Sequence, residues 1–369
     1  TDFVNRYHLI SQIENYYLGG AKAVVISGIG GAGKTSLSTI LEKRFLSHYN
    51  PGLHVKHTLW VDFREDHDLG GLIRQISIML SGAGNTIDAK RLQETVDIGP
   101  LQVCAILKET FGKNVLLTLD NCETLLVKEE RQKDDELLRF IKGLIAHTEG
   151  WKVLITTREP IDLTMDGRHL FKWADCPLGS LAHTERIALL ETLFMGNPIT
   201  GKVSDEKMIE IIREVGGNPY ELVLFTKHLT SVSDIDTLIE DTHRKAGEYA
   251  FLDYYTEKLD KDTLRLLCLL SVFRDPPTKD EIEMVCKRIP ELANVDTSKS
   301  LGVLLRKGFA EEERGCFTVP PVLVYYITHS DAPHLGCKNQ RIQYSGIITQ
   351  FFYQLFMHAD EAFKKSFAE

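Results

Sequence analysis

Up to about Pro177 the apolar positions alternate between two rhythms. Ala23-Val24-Val25-Ile26-Ser27 is a short β-branched run that stops at a cluster of glycines. Over 34–49 the spacing turns helical, with Leu37, Ile40, Leu41 and Phe45 on one face. Residues 58–63 predict a second strand, 69–80 and 101–111 predict helices, and 115–119 predicts a third strand. That third run is near-continuously apolar, as a strand covered on both faces should be. Residues 135–147 predict a helix, 153–157 a fourth strand and 169–173 a fifth. Strands alternating with helices predict a parallel sheet covered on both sides.

Beyond Pro177 no strand interrupts the helical spacing at 184–194, 205–215, 220–229 and 234–242, which predicts a small all-helical domain. From about Ala246 a third unit is expected, with helices at 250–259, 262–273, 279–286 and 301–307. Two short runs then flank Glu313-Arg314-Gly315 and predict a β-hairpin. Helices followed by a hairpin is the winged-helix layout. A last helix, 342–367, carries an aromatic face of Phe351, Phe352, Tyr353 and Phe356. It either closes the core of this module or, the favoured expectation, begins a sensor domain. The predicted domains are 1–176, 177–245, 246–330 and 331–369.

Composition narrows the class. With 369 residues, 43% hydrophobic and 26% charged, the chain is ordinary globular protein and not a fibre or a disordered tail. Its 43 Lys and Arg against 52 Asp and Glu oppose a whole-chain nucleic-acid coat. The longest near-apolar stretch, 266–273, is too short to span a membrane. Seven cysteines, at 104, 122, 176, 268, 286, 316 and 337, lie far apart without a CxxC pair. Buried thiols in a reducing, cytoplasmic compartment are expected. The chain opens on Thr1 without a signal pattern, and a fragment of a longer protein is expected.

The chemistry concentrates in Gly28-Ile29-Gly30-Gly31-Ala32-Gly33-Lys34-Thr35, followed by Ser36. It fits G-x-x-x-x-G-K-[ST], follows a predicted strand and opens a predicted helix. Glycines let backbone N–H groups turn toward phosphate oxygens. The helix N-terminus adds positive potential. Lys34 supplies a charge for the β- and γ-phosphates, and the Thr35 hydroxyl can ligate Mg²⁺. Gly28, Gly30 and Gly33 also fit the dinucleotide fingerprint G-x-G-x-x-G. The acidic residue that motif needs about 20 residues on is badly spaced here, since the next acidic strand end is Asp62. The third strand ends in Asp120-Asn121-Cys122-Glu123, and Asp120 is the expected second metal side. Asn121 stands where a second carboxylate often polarises the attacking water, which leaves Glu123 as the nearest acid for that task. Arg158, just past the fourth strand, is placed to read the γ-phosphate.

Phe3-Val4-Asn5-Arg6, the glycine loop, Leu119-Asp120-Asn121, Thr156-Thr157-Arg158 and Gly217-Asn218-Pro219-Tyr220 together resemble STAND-class signalling ATPases of the NB-ARC type, especially their prokaryotic branch. The resemblance covers about 1–330. It implies an α/β P-loop NTPase domain of AAA+-like parallel-sheet type, a helical domain and a winged helix. It implies an ATP/ADP switch with Mg²⁺ and slow hydrolysis: ADP holds a closed monomer, and ATP opens a homo-oligomer. Val4 and Arg6 would lie near adenine, Pro219 would pack on the base and ribose, and Arg158 would sense the γ-phosphate. A signal ligand or effector protein is implied but not named.

Two departures bear on that switch. Asn5 and Tyr7 replace the family's usual Gly and Glu. Pro320 stands where the family carries a His that contacts the ADP β-phosphate, and proline has no donor to offer. Pro320→His should therefore hold ADP more tightly and exchange it more slowly; an unchanged affinity and exchange rate would contradict this. Residues 260–330 hold 10 Lys and Arg against 11 Asp and Glu, and the hairpin carries Glu311-Glu312-Glu313. Phosphates would repel that hairpin, so a lever is expected and not a nucleic-acid reader. An actively turning-over AAA+-type motor and the ATPase core of a DNA-binding regulator remain the alternatives.

Overall fold

The computed structural model describes residues 6–47, 50–63, 69–94, 99–123, 131–159, 161–164, 169–195, 203–215, 217–229, 231, 234–243, 250–273, 276–329, 335 and 337–366. Phe3, Val4, Asn5 and Gly216, and the side chains of Phe356 and Cys337, lie outside the description. The chain divides into two compact units, Thr1–Glu185 and Arg186–Glu369.

The first unit runs α1 (Tyr7–Leu18), β1 (Ala23–Ser27), α2 (Lys34–Leu46), β2 (His57–Asp62), α3 (Leu69–Gly82), α4 (Thr86–Glu94), α5 (Pro100–Phe111), β3 (Val115–Asp120), α6 (Arg131–His147), β4 (Lys152–Thr157) and β5 (Trp173–Pro177). The strands form one parallel sheet in the order β2-β3-β4-β1-β5. Successive side chains of a strand point to opposite faces, and both faces here are covered. Val24, Ile26, Leu116 and Leu154 pack with Ile10 and Ile13 of α1 and Leu37, Leu41 and Phe45 of α2. Ala23, Val25, Leu117, Leu119, Val153 and Ile155 pack on the other face with Ile76 of α3, Leu107 of α5 and Ile141 of α6. This two-sided burial is why β1, β3 and β4 read as largely apolar runs without polar alternation. The fifth strand begins at Trp173, where the expected one ended. As an edge strand it is only partly buried and tolerates Pro177 at its end, so its apolar signal is weak.

The second unit is helical, with one hairpin. It contains most of α7 (His183–Met195), then α8 (Asp205–Glu214), α9 (Pro219–His228), α10 (Asp234–His243), α11 (Ala250–Glu257), α12 (Lys261–Leu270), α13 (Lys279–Cys286) and α14 (Thr297–Lys307). The antiparallel pair β6 (Glu311–Glu313) and β7 (Cys316–Thr318) follows, then α15 (Pro321–His329) and α16 (Cys337–Ser366). Local chemistry sets the helix starts. Asp260 and Asp296 accept backbone N–H groups of the first turns of α12 and α14, and Thr278 forms a capping box with Glu281 at α13. Arg314 and Gly315 both have positive φ, 55° and 82°, which is the two-residue type I′ turn that joins twisted strands. Three helices and this hairpin make the winged-helix layout. Pro320 is buried, and its carbonyl accepts from Leu323 N at 2.9 Å and Val324 N at 3.1 Å. It starts α15, with Pro321 as the first helical residue. Phe351, of the aromatic face, is buried under the Arg288 guanidinium, 4.5 Å from its ring centre.

Cys104, Cys122, Cys176 and Cys286 are buried free thiols and Cys316 a half-buried one. Cys268 is disulfide-bonded, a pairing that the wide cysteine spacing did not indicate.

Two titrating groups of α9 pull the stability of the second unit in opposite directions. Burial lowers His228 to about 4, helped by Lys307 and Lys258 and opposed by the bond to the Leu224 carbonyl. Its ring lies 4.0 Å from Tyr255. Burial raises Glu221 to about 7. The unfolded histidine takes up its proton first as pH falls from 6.5 towards 4, so it removes stability over that window. The folded glutamate takes up its proton first between 7 and 4.5, so it adds stability. Acid unfolding of Glu221→Gln should therefore be steeper than wild type and that of His228→Phe shallower, as read by melting temperature against pH.

Candidate functional site

The C-terminal ends of β1, β3 and β4 gather the predicted chemistry. Because β4 lies between β1 and β3, its C-terminal end stands between theirs in the sheet. The loop after β1 is drawn back onto the sheet: Gly28 N donates to Thr157 O at 3.1 Å, and Leu178 N donates to Ser27 O at 2.6 Å. A Cβ on Gly28 would stand 2.5 Å from the Leu178 carbonyl oxygen. Gly28→Ala must therefore shift backbone, and a loss of about 1–3 kcal/mol is expected in chemical denaturation. Gly31 and Gly33 take positive φ, 77° and 92°, and Gly33 leads directly into α2. Ala32 is buried, Gly30 is half-buried and Ser36 is exposed.

Lys34 opens α2 and is 8% exposed. Its ammonium donates to two carbonyls of its own loop, Gly28 O at 2.6 Å and Ile29 O at 3.1 Å. Burial pulls its pKa down to about 8, with Glu123 and Asp120 opposing that shift and Arg158 reinforcing it. Thr35 donates its hydroxyl to Asp120, 3.2 Å from Oδ1 and 3.0 Å from Oδ2. Asp120 is fully buried and also accepts from the Thr156 hydroxyl. Glu123 and Arg158 meet each other: Arg158 Nε lies 2.9 Å from Glu123 Oε1, with both side chains largely buried. The other oxygen, Oε2, is buried without a hydrogen-bond partner.

Arg6 belongs to the same unit but to a separate spot. It is 3% exposed, Nη1 donates to Gly179 O at 3.1 Å, and Nη2 is buried without a partner. Pro219 opens α9 in the second unit, behind Asn218, whose side chain accepts from Tyr220 N at 3.0 Å.

The roles of three further residues were not foreseen. Asp62 pairs with Asp120 in the β2–β3 register. Asn121 adopts a left-handed φ of 61° and donates its amide to both carboxylates. Thr156 holds both Asp120 and the Asn121 backbone N–H. Asp62 ends its strand just as Asp120 ends the next, and that parallel was the available signal.

The donor set suits a nucleotide with magnesium. Lys34 has only loop carbonyls to hold, an oxygen of Glu123 is orphaned, and a hydroxyl and a carboxylate meet as hard oxygen ligands. Among the described residues no group of three or more His, Cys, Asp or Glu is arranged to hold a metal alone. Magnesium does not require one, since it is usually held by one or two protein oxygens plus phosphates and water.

Sheet order, glycine loop and Asp120 define a P-loop NTPase fold with an attached helical and winged-helix unit. Among solved structures, the chain is similar to a signal transduction ATPase with numerous domains (STAND) protein with a tetratricopeptide repeat sensor from Pyrococcus horikoshii. The identity is 18% and the TM-score 0.58, over 89% of this chain and 42% of that one. The chain thus spans less than half the length of that protein. A Walker-type ATPase of Pyrococcus abyssi aligns at 14% identity and TM-score 0.47, over 90% of this chain and 96% of that one. The ORC2 protein of Aeropyrum pernix aligns at 15% and 0.43, over 94% and 93%. No family model and no curated protein matches the chain. The fold agrees with the resemblance to STAND-class P-loop NTPases carried by the motifs. No described helix is long and apolar enough to cross a membrane.

Proposed function

We propose that the chain is the nucleotide-binding core of a signalling switch that takes ATP or ADP with Mg²⁺ and hydrolyses ATP slowly. The observation that carries this reading is the Thr35 hydroxyl, at the start of α2, meeting the Asp120 carboxylate, at the end of β3, 3.0 Å apart and beside Lys34. The loop amides and Lys34 bind the phosphates. Thr35 and Asp120 hold the metal, whose part is to neutralise charge on the phosphates. Lys34 leaves the Gly28 and Ile29 carbonyls for the incoming anion. Arg158 contacts the γ-phosphate while its Nε stays on Glu123. Arg6 and Val4 serve the base, and Pro219 covers it from the helical domain. Domains bounded at 176, 245 and 330 then move with nucleotide state, and the ATP form assembles with copies of itself.

Slow turnover follows from Asn121 in the second-acid position and from Glu123 being engaged by Arg158. A switch spends its nucleotide on a population shift and not on repeated work. Multiple-turnover hydrolysis by the isolated chain should stay at or below about one per minute, at the slow end of enzyme rates. Faster turnover without a partner would favour the motor. Sizing in a non-hydrolysable ATP analogue should show a larger species than in ADP.

A further inference from the structure

Asp62 sits at the end of β2, beside Asp120 in the parallel register, and separate contacts fix it there. Gln75 of α3 accepts from the Asp62 backbone N–H at 2.9 Å and donates to its carbonyl at 2.8 Å. A side chain thus closes the sheet edge where another strand would pair. The next residue, Phe63, donates its N–H to Asp120 O at 3.0 Å. Asn121 Nδ2 reaches Asp62 Oδ1 at 3.0 Å and Asp120 Oδ2 at 3.1 Å.

Asn121 accepts an uncommon backbone conformation to do this, and Thr156 holds its N–H at 3.0 Å. Such a conformation in a non-glycine residue is retained where the surroundings over-determine it, often at a working site. Its neutral amide spaces two carboxylates by donating to both. The strand positions that carry them are one strand spacing apart, about 4.8 Å. Glu123, the acid nearest in sequence, has one oxygen committed to Arg158.

We propose that Asp62 is the carboxylate that orients the attacking water, with Asn121 as the positioning residue between it and Asp120. This rests on the ATPase reading above. In the step, the water oxygen forms a bond to the γ-phosphorus. The bond from that phosphorus to the β–γ bridging oxygen breaks, and its electron pair leaves on ADP. The water proton passes by way of the Asp62 carboxylate to solvent. ATP and water give ADP, phosphate and a proton, with no further reactant.

The test is single-turnover hydrolysis of Mg-ATP by the whole chain, measured beside ATP affinity and melting temperature. Asp62→Asn keeps an acceptor for the Asn121 amide but loses the charge. It should hydrolyse about 100-fold more slowly, a larger loss than Glu123→Gln gives, and bind ATP within about threefold of wild type. Asn121→Ala should lose about tenfold in rate and little in affinity. Asp62→Asn hydrolysing at the wild-type rate would overturn this inference and leave the nucleotide-binding reading standing. A parallel loss of affinity, rate and melting temperature would also overturn it, because the role would then be structural. A wild-type chain that binds no nucleotide would overturn both.

Discussion

Lys34→Ala should weaken ATP and ADP binding by about 100-fold or more, the worth of two or so charge-assisted hydrogen bonds. The ammonium holds the carbonyls of Gly28 and Ile29, and burial lowers its pKa to about 8, which leaves it mostly protonated at neutral pH. A phosphate would replace neutral acceptors with anionic ones and further favour the charged form, so binding should draw heavily on this one side chain. The variant should fold, because the contacts it loses lie within six residues of chain. Titration calorimetry with ADP, beside a melting curve, separates the two effects. Wild-type affinity in Lys34→Ala would place the nucleotide elsewhere.

The second large effect is expected at Asp120. Asp120→Asn keeps the side-chain volume and one acceptor for Thr35 and Thr156, but removes the negative charge that a metal needs. Single-turnover hydrolysis should fall by about 1,000-fold, and ATP affinity should no longer respond to Mg²⁺. Binding of ATP without metal should hold within about threefold, since Lys34 and the loop amides remain. ATP affinity measured with magnesium and with a chelator checks this. A variant whose affinity still rises with Mg²⁺ would remove Asp120 from the metal site.

Much of this site was legible because its parts are local in sequence. The glycine loop is one continuous motif, and Asp120 ends an apolar run that only a doubly covered strand explains. What sequence hid was register. Asp62 was read as an acidic strand end, and only the β2–β3 pairing sets it beside Asp120. Thr156 is one of two threonines at a strand end, and alternation along β4 decides which one faces Asp120. Glu123 and Arg158 were read as separate tools, but a bond across 35 residues joins them.

The unforeseen elements have physical reasons too. Helix α1 lacks a side-chain cap at Arg6, so no start signal marks it. Helix α4 has few buried residues, chiefly Ala89 and Leu92, which leaves little apolar periodicity to detect. Helix α15 begins on two prolines that suggest a break when read alone. The hairpin turn, by contrast, was plain, because Arg314-Gly315 is a short turn signal between two short runs.

The central claim is that Gly28 to Thr35 hold a nucleotide phosphate chain. The most direct measurement is equilibrium titration of the chain with a fluorescent ADP analogue in Mg²⁺. Saturable binding to a single site is expected, displaced by unlabelled ADP and ATP, poorly displaced by AMP, and lost in Lys34→Ala. No saturable binding up to millimolar analogue, or binding that AMP displaces as well as ADP, would contradict the account.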